Sequence, residues 1–600
     1  MLLVSTVICV EIVLRYVFGY PIAWIMPLSM LAFMWFPFLS AADGIREDRH
    51  ISCDVAISKM NIETRETVGI ATDLTALAYI VLLMCFGWMH FYESYRFDSI
   101  STGIVTYSLW IEQIAIPIGM VLCLFQIMPK IASRLKIIKT GTASKNKANR
   151  HQGIFWVIAY LLALLLGVFI CNVNLPIGIL FTALIVIFWG VPIAFGLGLV
   201  GVIGLLFFHG SLNGLHTLPI VAENTLSHFV LLAIPLFSLG GVILAYSGLG
   251  DQMYDLSSKW LGWMPGGLGV ATCITGGILA AMIGSSTAVT AIVTLVAMKP
   301  LLDRGYDKRL VIGTVTGTSL GLIIPPSVGL IVYGFLTDTS VGELFMAGFI
   351  PGALLVALFS IYIVIYCAIT KKYKVETISW QQRFKALRKS FMILLGPVFV
   401  LGSIYSGMAT PTEAGAVLVV YSLICTLVYK KMNWEYFIVC LKKSSQISTM
   451  ILMIMIGALT MANIVTLLQV PTNLTNYIID TGLPNYILII LIILLYMVLG
   501  MFLDGSAITV LTVPILAPML PALGIDTVVF GIVLMMLIEV ALLTPPVGLN
   551  LFMVKGIVDE NLSLIIRSVI PFVVILMFAI VLCLMYPKII LFLPSILMGS

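Results

Sequence analysis

Charge is what this sequence has least of. Asp, Glu, Lys and Arg together make up 10% of its 600 residues, where a soluble domain carries about 25%. The shortage excludes a solvated surface around one or two cores and leaves a polytopic membrane protein. Histidine is scarce as well, with six residues and no H-E-x-x-H or clustered ligand pattern, so a zinc or other transition-metal centre is not indicated. The ten cysteines, among them Cys9, Cys85, Cys171, Cys273 and Cys583, lie mostly in apolar runs without a C-x-x-C, and read as small buried hydrophobes. The G-x-x-x-x-G-K-[ST] phosphate loop is missing, which turns the energy source from ATP towards ion gradients. No long polar stretch could fold as a soluble catalytic domain. The net charge of +5 resides mostly in loops between apolar runs and makes no case for nucleic acid.

What is present is hydrophobic sequence, 61% of the chain. At about 20 apolar residues per crossing the expected fold is all-α, with about fifteen to seventeen spans and re-entrant hairpins. Spans are expected near residues 22–42, 68–90 and 108–129. The run at 1–18 is barely long enough to cross and lacks the basic lead-in of a signal peptide, as though the given start clips the first helix. The loops at 44–66 and 130–152 hold eleven basic residues, among them Arg46, Arg49, Lys59, Arg65, Lys130, Arg134 and Lys145. Only Arg15 and Arg96 stand at or near the opposite connections, so the positive-inside bias places both loops and the N-terminus in the cytoplasm. The polar stretch 140–147 marks a domain boundary. The expected division is a four-helix module at 1–130, a basic linker with one connecting transmembrane helix (153–172) at 131–173, and a large module at 174–600. Basic clusters recur in the large module at Lys371-Lys372-Tyr373-Lys374, 383–389, Lys430-Lys431 and Lys442-Lys443.

The large module contains a duplication. Ser285-Ser286-Thr287-Ala288-Val289-Thr290 is followed by Ile324-Pro325-Pro326-Ser327, and Asp504-Gly505-Ser506-Ala507-Ile508-Thr509 by Thr544-Pro545-Pro546-Val547. Thr290 and Thr509 are 219 residues apart, and Pro325 and Pro545 are 220 apart. A Pro-Pro pair removes two backbone donors and breaks a helix. Broken backbone at membrane depth is tolerated only where it is buried in protein or lines a cavity, and paired interruptions in matching halves point to a transporter binding site. A duplication whose prolines merely kink structural helices is the plainer alternative. Hydroxyls and freed carbonyls are hard-oxygen ligands suited to sodium, and half-helix N-termini direct N–H groups at an anion. Asp504, which stands where the first copy has Ser285, costs roughly 2.5–3.5 kcal/mol near the bilayer centre on insertion scales. It is therefore either functional or near the aqueous surface.

Three further features stand out. Thr410-Pro411-Thr412-Glu413 reads as a helix N-cap in which Thr410 or Thr412 caps and Glu413 sits at the positive end, as either a capped re-entrant helix or a part of the transport path. Pro235, in the apolar run 231–237, is expected to kink its helix. Glu539, a lone carboxylate six residues before Pro545, either faces a cavity or pairs with a buried donor.

In these motifs the large module resembles the large membrane subunit of the tripartite ATP-independent periplasmic (TRAP) transporter family. The resemblance runs from about Asn174 to Pro587 through residues 231–237, Gly266-Gly267-Leu268, 284–290, Gly305-Tyr306-Asp307, 324–327, 410–416, Gly524-Ile525-Asp526 and 544–552. The first module is similar to the small membrane subunit through Arg15-Tyr16-Val17-Phe18, Pro21, Trp24, Arg46, His50-Ile51 and Asp54. Members of the family often carry acidic residues just after the tryptophan, and Ile25 and Met26 stand there instead. The resemblance implies a natural fusion of both subunits in a bacterial inner membrane. It implies a sodium-driven secondary importer of a small organic acid, which a separate periplasmic binding protein delivers. C4-dicarboxylates, 2-oxo acids, sialic acid and other sugar acids all suit the family. An inverted-repeat, elevator-type transport module scaffolded by the four-helix module is implied too, with Na+ as coupling ion and no cofactor. Carried over residue by residue, one sodium site falls on Ser285, Ser286 and Thr287 with Gly321, Pro325 and Pro326. The other falls on Asp504, Gly505 and Ser506 with Thr544, Pro545 and Gly548, and main-chain carbonyls supply much of the coordination. Substrate falls between the two tips, beside Thr290, Ser327, Thr509 and Asn550.

Two other functions compete with this one. A stand-alone sodium/carboxylate symporter needs no binding protein, but it leaves residues 1–129 without a purpose. A membrane-embedded enzyme needs convergent His, Cys or paired carboxylates within spans, and Glu413, Asp504 and Glu539 form no recognisable reaction set.

Overall fold

In lipid a backbone that crosses must satisfy its own N–H and C=O groups, so apolar windows of membrane length become helices. The computed structural model describes residues 2–48, 50–53, 57, 60–102, 105–140, 147–371, 373, 378–482, 484–545 and 548–598. Arg49, Asp54, Lys59, Lys145, Lys372, Lys374, Pro546 and Val547 lie outside the described residues, as does most of the polar stretch 140–147. The described chain is all-α apart from one isolated β-bridge, Ile100 with Ser108. Eleven of its helices are long and apolar enough to cross a membrane, and eight shorter apolar helices accompany them.

The first module consists of the helices Leu2–Val17, Ile25–Arg46 and Ile62–Arg96 and the span Trp110–Ile138. The last three of these run past the apolar windows in the sequence. Ile62–Arg96 has 35 residues, about 52 Å at 1.5 Å per residue, against a hydrocarbon layer of about 30 Å. Its ends stand outside the lipid, which is why Glu63, Arg65, Glu93 and Arg96 are accommodated there. Lys130 Nζ lies 2.5 Å from Asp48 and Arg134 Nε lies 2.9 Å from Asp73, so both basic loops share one end of the molecule. The span Gln152–Val173 packs on Leu175–Phe188 and carries the chain into the large module.

The two modules are tied together along their length. The Arg15 guanidinium donates to Glu413 at 2.6 Å, Gln113 donates to Glu223 at 3.0 Å, and His90 pairs with Glu223 at 2.5 Å. At the basic end Gln446 donates to Glu47 at 2.7 Å, and Lys442 also pairs with Glu47. Glu413 is at once a tether and a cap. Its Oε2 accepts from Thr410 N at 2.8 Å while Thr410 Oγ1 accepts from Glu413 N at 3.3 Å, a reciprocal capping box with Pro411 at the first helical position. Pro235, expected to kink a helix, lies near the start of one. A 3-10 turn, Phe229–Leu232, precedes the α-helix Ala233–Tyr246, so Pro235 falls in the first turn, where its missing N–H removes no intrahelical bond.

In the large module each half of the duplication forms two helix–break–helix units. In the first half these are Gly267–Ile283 with Ser286–Asp303, and Lys308–Gly317 with Val328–Thr337. In the second they are Asn485–Gly500 with Gly505–Leu516, and Thr527–Leu542 with Leu549–Ile557. The second units of the two halves start alike. Asp307 Oδ1 accepts from Arg309 N at 2.9 Å, and Asp526 Oδ1 accepts from Val529 N at 2.9 Å. These two capping aspartates are 219 residues apart.

Candidate functional site

The four breaks provide the site. In the first half they pack backbone to backbone. A Cβ on Gly321 would lie 2.6 Å from Ser285 C and 2.7 Å from Ser286 N, and one on Gly284 would lie 2.7 Å from Pro326 O. Gly284 also has φ +66°, a conformation that only glycine adopts readily. The structure thus brings Ser285, Ser286 and Thr287 together with Gly321, Pro325 and Pro326. Ser285 Oγ and Thr287 Oγ1 lie 3.3 Å apart beside the start of the half-helix Ser286–Asp303.

The second-half breaks are arranged differently. Asp504 caps the half-helix Gly505–Leu516, its Oδ2 accepting from Ser506 N at 3.0 Å. A Cβ on Gly505 would lie 2.6 Å from Ile538, six residues before Thr544. Thr544 Oγ1 donates to Val540 O at 2.7 Å; Pro545 follows it, and Gly548, with φ +54°, opens the half-helix Leu549–Ile557.

The centre of the molecule holds a cluster that joins the two halves. Glu539 is fully buried, and its Oε1 accepts from Ser286 Oγ at 2.7 Å and Ser319 Oγ at 2.9 Å. Asn550 Nδ2 donates to the same two hydroxyl oxygens, at 2.9 Å and 3.0 Å. Ser319 and Glu539 each stand six residues before the first proline of a Pro-Pro pair and are 220 residues apart, so they are the same position in the two copies. Equivalent residues of a duplication touch only near the axis relating the copies, so the cluster marks that axis. Sequence reasoning left Glu539 open between a cavity and a buried donor, and the donors are now identified. It missed Ser319 altogether, although equal spacing from the prolines was a signal that could have revealed it.

The other sequence-derived positions stand apart from this centre. The hydroxyls of Thr290 and Thr509 are buried and donate back to Ser286 O and Gly505 O, at 3.0 Å and 2.8 Å. Ser327 Oγ caps Val328–Thr337 by accepting from Leu330 N at 3.4 Å. Ser285, Thr287 and Ser506 are only partly buried.

The donor set suits a hard cation. Serine and threonine hydroxyls, an amide and carboxylates surround the breaks, and two buried oxygens in the central cluster, Glu539 Oε2 and Asn550 Oδ1, have no hydrogen-bond partner. Among the described residues no group of three or more His, Cys, Asp or Glu side chains is placed to hold a metal ion.

Duplicated broken helices that meet at a buried polar centre define a membrane transport protein of the broken-helix kind. Residues 179–589 match the model of the "Tripartite ATP-independent periplasmic transporter, DctM component", and residues 4–137 match that of the DctQ component. The C4-dicarboxylate TRAP transporter large permease protein DctM of Pseudomonas aeruginosa is 34% identical over 401 residues, 66% of this chain and 93% of that protein. The sialic acid TRAP transporter permease protein SiaT of Haemophilus influenzae is 27% identical and covers 98% of this chain and 96% of its own. The isethionate TRAP transporter permease protein DctMQ of Oleidesulfovibrio alaskensis is 28% identical over 92% of this chain and 86% of its own. The chain belongs to the tripartite ATP-independent periplasmic transporter family, with the small and large membrane components fused in one polypeptide. It is a multi-pass permease, not an enzyme.

Proposed function

We propose that the chain is a sodium-driven importer of a small organic acid in the bacterial inner membrane, supplied by a separate periplasmic binding protein. The observation that carries this reading is the meeting of two duplicated helix breaks at a buried centre built from hard oxygens. Sodium supplies the coupling charge, held at Ser285, Ser286 and Thr287 with Gly321, Pro325 and Pro326, and at Asp504, Gly505 and Ser506 with Thr544, Pro545 and Gly548. Half-helix N-termini beginning at Ser286 and Gly505 direct backbone N–H groups at an anionic substrate. Thr290, Ser327 and Thr509 stand behind these tips with their hydroxyls engaged, so the substrate-facing hydroxyls are those of Ser285, Thr287 and Ser506. The four-helix module acts as scaffold, and the parts of the large module that carry the breaks move as the elevator. Both basic loops and the N-terminus face the cytoplasm.

Relatives named for C4-dicarboxylate, sialic acid, isethionate and ectoine set the panel of candidate substrates. The test is uptake of these labelled compounds into proteoliposomes, with and without a sodium gradient and with and without a candidate binding protein. Uptake that needs both supports the proposal. Sodium-driven uptake without the binding protein makes the chain a stand-alone symporter, and uptake indifferent to sodium overturns the coupling. Replacing Thr287 and Ser506 together by Ala is expected to weaken sodium-dependent uptake and leave membrane insertion intact.

A further inference from the structure

A cavity of about 560 Å³ lies where the first module meets the large one, within the size range of small-molecule sites, about 300–1,000 Å³. Its walls include Met26, at the start of the helix Ile25–Arg46, and Glu112, near the start of the span Trp110–Ile138. The far ends of these two helices carry Arg46 and Lys130, so the cavity is at the end of the molecule opposite the basic loops. It shares no residue with the helix breaks.

One wall is apolar. Met26, Met30 and Met34 recur every four residues and so share one face of their helix, and Phe229 joins them from the large module. Methionine is unbranched and polarizable, and adapts to irregular apolar shapes. The other wall is acidic. Glu112, from the first module, is 8% exposed; its Oε2 accepts from Tyr107 Oη at 2.8 Å, and no group among the described residues donates to its Oε1. Glu223, from the large module, accepts from Gln113 Nε2 at 3.0 Å and pairs with His90 at 2.5 Å. The described lining contains no lysine or arginine.

An acidic wall facing an apolar wall selects a ligand with a positive head and an apolar body. An ammonium ion meets a carboxylate directly. A neutral amine takes the proton of a carboxyl, and the same ammonium–carboxylate pair results. A phosphate would stand beside two acidic side chains without a cation in the wall, a costly like-charge juxtaposition, so a phospholipid head group fits less well. We propose that this cavity binds an organic ammonium ion with an apolar body, its head at Glu112 and Glu223 and its body against Met26, Met30, Met34 and Phe229. Because both modules supply walls, the ligand fastens one to the other beside the Gln113–Glu223 contact.

The test uses the full chain in phosphatidylcholine nanodiscs. Equilibrium binding of labelled phenethylammonium is measured against empty nanodiscs, and melting temperature is followed as the amine is added. Phenethyl alcohol and hydrocinnamate are the neutral and anionic controls. Saturable binding of the amine and a raised melting temperature are expected, with neither effect from the controls. Glu112→Gln keeps the size of the side chain and an acceptor for Tyr107, and is expected to weaken amine binding by about 10–100-fold, the loss of one charged hydrogen bond. A wild type that binds no amine, a wild type that binds phenethyl alcohol equally well, or unchanged affinity in Glu112→Gln overturns the proposal. Loss of amine binding when phosphatidylethanolamine replaces phosphatidylcholine gives the site to a lipid head group and overturns the free amine. If Glu112→Gln does not fold, Met30→Trp fills the apolar side without touching either acid. Amine binding is then expected to fall by a similar factor, and unchanged affinity overturns the assignment.

Discussion

Replacing Gly321 by alanine tests whether the two first-half breaks depend on direct backbone contact. The new methyl would sit 2.6 Å from Ser285 C, 2.7 Å from Ser286 N and 2.8 Å from Ser285 O. Ordinary carbon–carbon contact begins at about 3.5 Å, so the two segments must part by about 0.9 Å. All three obstructing atoms are main chain and cannot rotate away. If Ser286 takes up the displacement, its 2.7 Å hydrogen bond to Glu539 stretches to about 3.6 Å, beyond hydrogen-bond range. Overpacking of this kind costs about 1–3 kcal/mol, so a lower melting temperature and a large loss of uptake are expected. Gly402 provides the control, since a Cβ there meets nothing within 4 Å. Gly402→Ala is expected to stabilise by about 0.4–1 kcal/mol by restricting the unfolded chain. Both properties are read on the same preparation, melting in detergent and sodium-gradient uptake in proteoliposomes. A Gly321→Ala protein that melts and transports like the wild type refutes the contact argument.

Three further outcomes follow from the same geometry. Thr410→Ala removes the cap on Pro411–Val428 and is expected to cost about 1 kcal/mol in reversible unfolding; no change would mean that Glu413 N is satisfied another way. A chain expressed in two pieces, broken between Thr140 and Lys147, is expected to co-purify, because the Arg15–Glu413, Gln113–Glu223 and Gln446–Glu47 contacts do not depend on the linker. Separation of the pieces in mild detergent would contradict this. Changing Pro325 and Pro326 together to Ala restores two backbone donors at the first-half break. Transport is expected to fall while the protein remains in the membrane, and unchanged uptake would return these prolines to a purely structural role.

Whatever is local along the chain was legible in the order of its residues. Low charge and long apolar windows made the protein a helical membrane protein, because lipid offers the backbone no other partners. Two Pro-Pro pairs 220 residues apart located the duplicated breaks, and Thr410 with Glu413 announced a cap that spans three residues. Contacts between residues remote in sequence came from helix packing. It brought Ser319 onto Glu539 and Asn550 onto Ser286, 220 and 264 residues apart, and it gave Glu413 a partner 398 residues away in Arg15. It also placed Pro235 at a helix start, a boundary that an unbroken apolar run does not display. Spacing encodes the secondary structure and the repeat, but which side chains meet on the axis depends on how two helical units pack, and no periodicity within either unit carries that information.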